Sequence, residues 1–253
     1  MNKHIKRLVF YTGLICIWSL AVILKVWPEY ILPSPWGVLS SLKDGIVNLT
    51  FITGTLASLK RIAIGYGFSV CFGMILGFAI GRIKILDETV GSLVVGLQTL
   101  PSICWLPLSI LWFGLNEKAI IFVVIMGALL AITISTDSGV KQISPIYIRA
   151  GKNMGAQGLT LLTTILLPAA LPAIIAGLKQ GWSFSWRSLM AGELLYVSIG
   201  LGQLLMMGRE LNDMNRVIAV MLVLILIGVT FDRFIFAKLE AAVRERCGLG
   251  ERG

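Results

Sequence analysis

Long apolar runs broken by short charged punctuation set the pattern of this chain. Residues 8–24, 62–81, 89–116, 119–136, 153–178 and 217–231 contain no Asp, Glu, Lys or Arg. A helix crossing about 30 Å of hydrocarbon at about 1.5 Å per residue needs about 20 mostly apolar residues. The runs therefore predict six spanning helices. The stretch 45–59 is apolar too, but Asn48 and its several Thr and Ser weaken it. It reads as the end of an extracytoplasmic segment leading into the second span rather than as a seventh span. The first run follows a basic start, as a signal peptide would. No small-x-small site comes before Lys25, so a retained helix is expected.

Composition narrows the class. Of 253 residues, 57% are hydrophobic and 14% charged, with a mean hydropathy of +0.87. A soluble domain carries about 25% charge. A disordered chain, a soluble enzyme and a disulfide scaffold are thereby set aside in favour of an all-α, polytopic membrane protein. The net charge of +9 forms no basic stripe, which speaks against nucleic acid. It reads instead as orientation. With the N-terminus inside, 13 basic residues fall on the cytoplasmic side and 7 outside, leaving Lys179 and Arg187 inside the fifth span. Lys and Arg are retained in the cytoplasm, so both termini are placed there. Trp27, Trp36 and Trp112 fall near the outer boundary. The chain is then one domain, 1–253, with an extracytoplasmic segment at about 28–57 and a cytoplasmic loop at about 137–164. The Cys are isolated, with no CxxC, and His4 is the only His. No metal site, cofactor site or catalytic constellation is expected. A secondary transporter or channel is the alternative, but it would show internal repeats or central acids, and neither is visible.

Gly73, Gly77 and Gly81 recur every four residues, with Gly65 two turns earlier. Small residues let helix backbones approach closely in lipid, so this stripe is expected to pack on another helix of this chain or of a partner. The loop 145–172 reads PIYIRAGKNMGAQGLTLLTTILLPAALP. Pro145 suits a first helical turn, and Gly155 can close the helix in the left-handed region. A second helix then enters the fifth span near Pro168 and Pro172. Helix, glycine turn, helix makes a cytoplasmic protrusion suited to docking a partner.

This loop resembles that of ABC importer permeases, whose pattern is E-A-A, three residues, G, nine residues, I-x-L-P. Ala150, Gly155, Ile165, Leu167 and Pro168 match. Arg149 stands where the acid would be, and Gly151 where the second Ala would be. Further pieces resemble the nitrate, sulfonate, taurine and bicarbonate branch: Leu32–Pro35, Ser58-Leu59-Lys60-Arg61, Pro101, Trp105–Leu108, Trp112-Phe113-Gly114, Gly177-Leu178-Lys179 and Gly200-Leu201-Gly202. The resemblance implies the type I importer permease fold, with six transmembrane helices and a coupling-helix loop. It implies a pore formed with a second permease copy, expected to be identical. Two ATPase subunits would dock below, and an extracytoplasmic solute-binding protein would deliver a small anion in a bacterial inner membrane. The chain has no GxxxxGK[ST], so ATP and Mg would belong to the partner ATPases and this subunit would not be an enzyme.

Charges within a span usually face a cavity. Measured from Ile165, Lys179 lies about 21 Å and Arg187 about 33 Å along a helix. Lys179, with Ser183 nearby, is therefore the first candidate for meeting an anion, and Arg187 the second. Arg187 is also expected to pair with Glu193, and Asp232 and Arg233 to anchor the end of the last span.

Overall fold

The computed structural model describes residues 3–195 and 198–246. Arg252 and Cys247 lie outside the described residues. Among those described there is no strand, and the chain is helical as its apolar periodicity requires. The helices are α1 (Lys3–Ile23), α2 (Pro35–Val47), α3 (Thr50–Arg82), α4 (Lys84–Gln98), α5 (Ser102–Phe113), α6 (Glu117–Lys141), α7 (Pro145–Asn153), α8 (Gly158–Leu195), α9 (Leu201–Glu210) and α10 (Met214–Glu245). Five are long and apolar enough to cross a membrane: α1, α3, α6, α8 and α10. The pair α4 and α5 would make a sixth span, broken by a 97° bend.

Several boundaries depart from the expectation, two of them for one reason. Counting charge-free runs ends a span at the first ion, whereas a helix continues through an ion that finds a partner. Hence α3 begins at Thr50 and runs through Arg61, which bonds Glu117 and Glu193, and α10 runs on past Asp232, which meets Lys179. The stretch 45–59 supplies the end of α2 and the first turns of α3, and is not a separate span. The run 89–116 is not one straight helix. Leu100 and Pro101 interrupt it, because proline offers no N–H and disfavours a helical residue before it. The loop expected at 137–164 is shorter, since α6 reaches Lys141 and α8 begins at Gly158.

The chain divides into two compact units, one of 1–58 with 197–227 and the other of 59–196 with 228–253. In the first, Trp18 Nε1 donates to the Pro33 carbonyl at 3.0 Å, tying α1 to the Leu32–Pro35 turn. Ser34 then caps α2 by accepting from Gly37 N at 3.0 Å, and Pro35 occupies the first turn. The motif is a helix start. Ser58 Oγ accepts from Leu201 N at 2.9 Å, fixing the start of α9 within the same unit.

The second unit is built around α6, which lies buried between glycine faces. A Cβ on Gly65, Gly73, Gly77 or Gly81 of α3 would lie within 3.0 Å of an α6 atom. For Gly77 the nearest is the Thr133 carbonyl oxygen, at 2.6 Å. On the other side, Gly177 of α8 abuts Ser135, and Gly181 abuts Ile132. The small residues thus bring the backbones of α3 and α8 against side chains of α6. Ile62, Ile120, Val124, Trp182, Leu189 and Phe236 form the apolar core beside this contact.

Candidate functional site

The loop between α6 and α8 is set by backbone chemistry. Pro145 opens α7, and Gly155 closes it at φ +87°. Ala156 N donates to the Gly151 carbonyl at 2.9 Å, and Gly155 N to the Lys152 carbonyl at 3.0 Å. This is the Schellman arrangement, which satisfies the last carbonyls of a helix and requires a left-handed residue. One face of α7 is held down. Gly151 is buried, and its backbone sits so close to Ile165 Cδ1 that no Cβ fits beside it undisturbed. Gly151 therefore lies under Ile165, itself one of the matching loop positions. Ile146, Tyr147 and Arg149 of α7 are exposed, and so is Met154 just after it, to 87%. Past the loop, α8 makes a π-helical turn, with Leu167 N donating to the Leu162 carbonyl, just before Pro168. The wider turn makes room where the proline ring would press on the preceding carbonyls.

Lys179 is not a spare cation. Its Nζ lies 2.8 Å from Asp232 Oδ1 and 3.4 Å from Glu240 Oε1. A cation in a span is costly unless paired, and α10 extends far enough to supply two carboxylates. The proposed role of Asp232 as a simple anchor changes accordingly. It sits at the start of a second π-helical turn, Asp232–Phe236, and faces Lys179.

Arg187 does not pair with Glu193. Glu193 is buried and bonds Arg61 at 2.7 Å, while Arg61 also reaches Glu117 at 2.9 Å. This triad joins α3, α6 and α8. The sequence reading missed it by treating Arg61 as a boundary residue. The signal was available in the position of Glu193, an acid inside an apolar helix that needed a partner. Arg187 instead lies 5.5 Å above the Phe184 ring, and among the described residues it has no carboxylate within 4.0 Å. It lines a cavity of about 430 Å³ at the break between α4 and α5. Ser183, one turn before Arg187 on the same helix stripe, is exposed but is not among the cavity-lining residues.

The family of binding-protein-dependent transport system inner membrane components matches residues 69–244, which include Gly73, Gly77 and Gly81, the broken span, the α7 loop and all of α8. The chain belongs to this family. Its relatives agree. A Methanocaldococcus jannaschii protein named for an ABC transporter permease is 35% identical, covering 87% of this chain and 84% of its own. The taurine transport system permease protein of Escherichia coli is 30% identical, covering 80% and 79%. The nitrate import permease protein of Synechocystis is 30% identical, covering 89% and 87%. Among solved structures, the inward-facing MetNI methionine ABC transporter aligns with a TM-score of 0.66 at 21% identity, covering 78% of this chain and 97% of that one. That likeness concerns the fold, which is that of a type I importer permease. The permease is thus a multi-pass membrane subunit and not itself an enzyme. It is a component of the ABC importers that work with ATPase and binding-protein partners.

Proposed function

We propose that this permease forms the pore for a small anion handed over by an extracytoplasmic binding protein, and that α7 is the element through which partner ATPases drive it. The carrying observation is the set of exposed apolar side chains on and just after α7, Ile146, Tyr147 and Met154, beside a Gly151 that packs under Ile165. An exposed apolar patch on a rigidly closed helix suits a protein partner. Two copies of the chain would flank the pore, each docked to one ATPase that binds ATP and Mg. Both termini and the α7 loop would be cytoplasmic, and the segment at about 28–57 extracytoplasmic. The chain itself would hold no cofactor. The names of relatives for nitrate, an anion, and for taurine, a zwitterion that carries a sulfonate, support a cargo with an oxyanion group.

Gly155→Val tests the coupling role, because a β-branched residue resists φ +87°. In proteoliposomes holding permease, ATPase and loaded binding protein, the variant should assemble yet lose ATP-driven uptake. Normal uptake with normal stimulation of the ATPase would refute docking through α7.

A further inference from the structure

Resting on the reading of an anionic cargo, we infer that the cavity at the α4–α5 break is an oxyanion subsite shaped for an alkyl sulfonate, with Arg187 as its charge partner.

The cavity holds about 430 Å³, within the range of small-molecule sites. Its lining is uneven in chemistry. Among the described residues Arg187 is the only charged one in the lining, and Gln98 and Ser102 add an amide and a hydroxyl. Thr99 also lines it, but its hydroxyl already donates to the Gly96 carbonyl at 2.7 Å, so it is not a free donor. Guanidinium, amide and hydroxyl are all groups that can donate to an oxyanion, and guanidinium does so through paired N–H groups. An Arg inside an apolar helix that meets no carboxylate is costly unless it faces water or an anion. The bend positions these groups together: Gln98 ends α4, Ser102 begins α5, and Arg187 reaches them from α8.

The remaining wall is apolar, with Trp105, Met126 and Leu130 among its residues. A bare inorganic oxyanion would leave that wall facing water, whereas a short alkyl chain would cover it at about 0.8 kcal/mol per CH₂. An amino group on the tail finds no carboxylate among the lining residues, and the Phe184 ring face already holds Arg187. The cavity therefore favours an alkyl sulfonate over both nitrate and the zwitterion taurine.

The test titrates the purified permease–ATPase complex, without binding protein, with butane-1-sulfonate, taurine and sodium nitrate, read by calorimetry. Butane-1-sulfonate should bind about tenfold or more tightly than the other two. Arg187→Gln should weaken it by about tenfold to a hundredfold, with partial recovery in Arg187→Lys. Met126→Trp, which fills the apolar end, should weaken butane-1-sulfonate more than nitrate. Co-elution of each variant with the ATPase shows that it is folded. Equal binding of butane-1-sulfonate to wild type and Arg187→Gln, absence of binding to wild type, or parity with nitrate would each overturn the subsite. The importer reading is tested separately, by ATP-driven anion uptake into proteoliposomes with the binding protein present. If wild type imports an anion while Arg187→Gln binds butane-1-sulfonate as wild type does, only the subsite falls. If wild type imports no anion, the cargo class itself falls.

Discussion

Arg61 and Glu193 meet at 2.7 Å, with side chains only 4% and 0% exposed. The pair links α3 to α8, and Glu117, at the start of α6, completes it from a half-exposed position. Removing one partner of such a pair leaves a buried charge uncompensated and costs about 3–5 kcal/mol. Arg61→Leu should lower the thermal midpoint of the detergent-solubilised complex sharply, and Glu193→Leu less, because Glu117 still pairs with Arg61. The double variant should be more stable than Arg61→Leu alone, since the buried carboxylate is then gone as well. Additive losses in the double-mutant cycle would argue against direct coupling.

The ties of Lys179 give it a structural role. Lys179→Met and Asp232→Asn should each cost about 1 kcal/mol, the usual scale of interhelical polar contacts in membranes. Substrate affinity should be unchanged in both. A rise in the apparent KM for uptake in Lys179→Met with little loss of stability would return this residue to the translocation pathway.

The glycine face makes a sharp contrast possible. A Cβ at Gly77 would press on the Thr133 backbone at 2.6 Å, which cannot rotate away, whereas at Gly67 of the same helix nothing lies within 4 Å. Gly77→Ala should destabilise by about 1–3 kcal/mol. Gly67→Ala should be neutral or stabilise by up to about 1 kcal/mol, through helix propensity alone. Thermal unfolding of the two variants side by side checks this.

Two glycines of the α7 loop should also behave oppositely. At Gly151 the obstacle is Ile165 Cδ1, the tip of a side chain that can change rotamer. Gly151→Ala should therefore be tolerated, which fits an Ala at this position in the family pattern. Gly155→Ala has ample space but must hold φ +87°. It should cost about 1–2 kcal/mol, and Gly155→Asn less. Proteolysis rates at the loop would report the difference.

Much of the fold was legible because lipid imposes a simple rule on length and polarity. The loop was legible because Pro145 and Gly155 have conformational demands that few residues share. What escaped was direction and pairing. The rise per residue placed Lys179 and Arg187 at depths along α8, but says little about which side each faces. The partners of Lys179 lie 53 and 61 residues later in the chain, on a helix that the count of apolar residues ended at Phe231. The bend at Leu100 and Pro101 was hidden for the same reason. A run free of charge looks continuous even when its backbone turns through 97°.

Ile132 is fully buried, with its Cγ2 where a side chain on Gly73 would begin and its Cγ1 and Cδ1 where one on Gly181 would begin. Neither neighbour contributes a side chain of its own at these contacts. One residue therefore gauges two gaps, and trimming or enlarging it changes the spacing of α3 and of α8 together. At this level of the second unit the two distances are not independent variables.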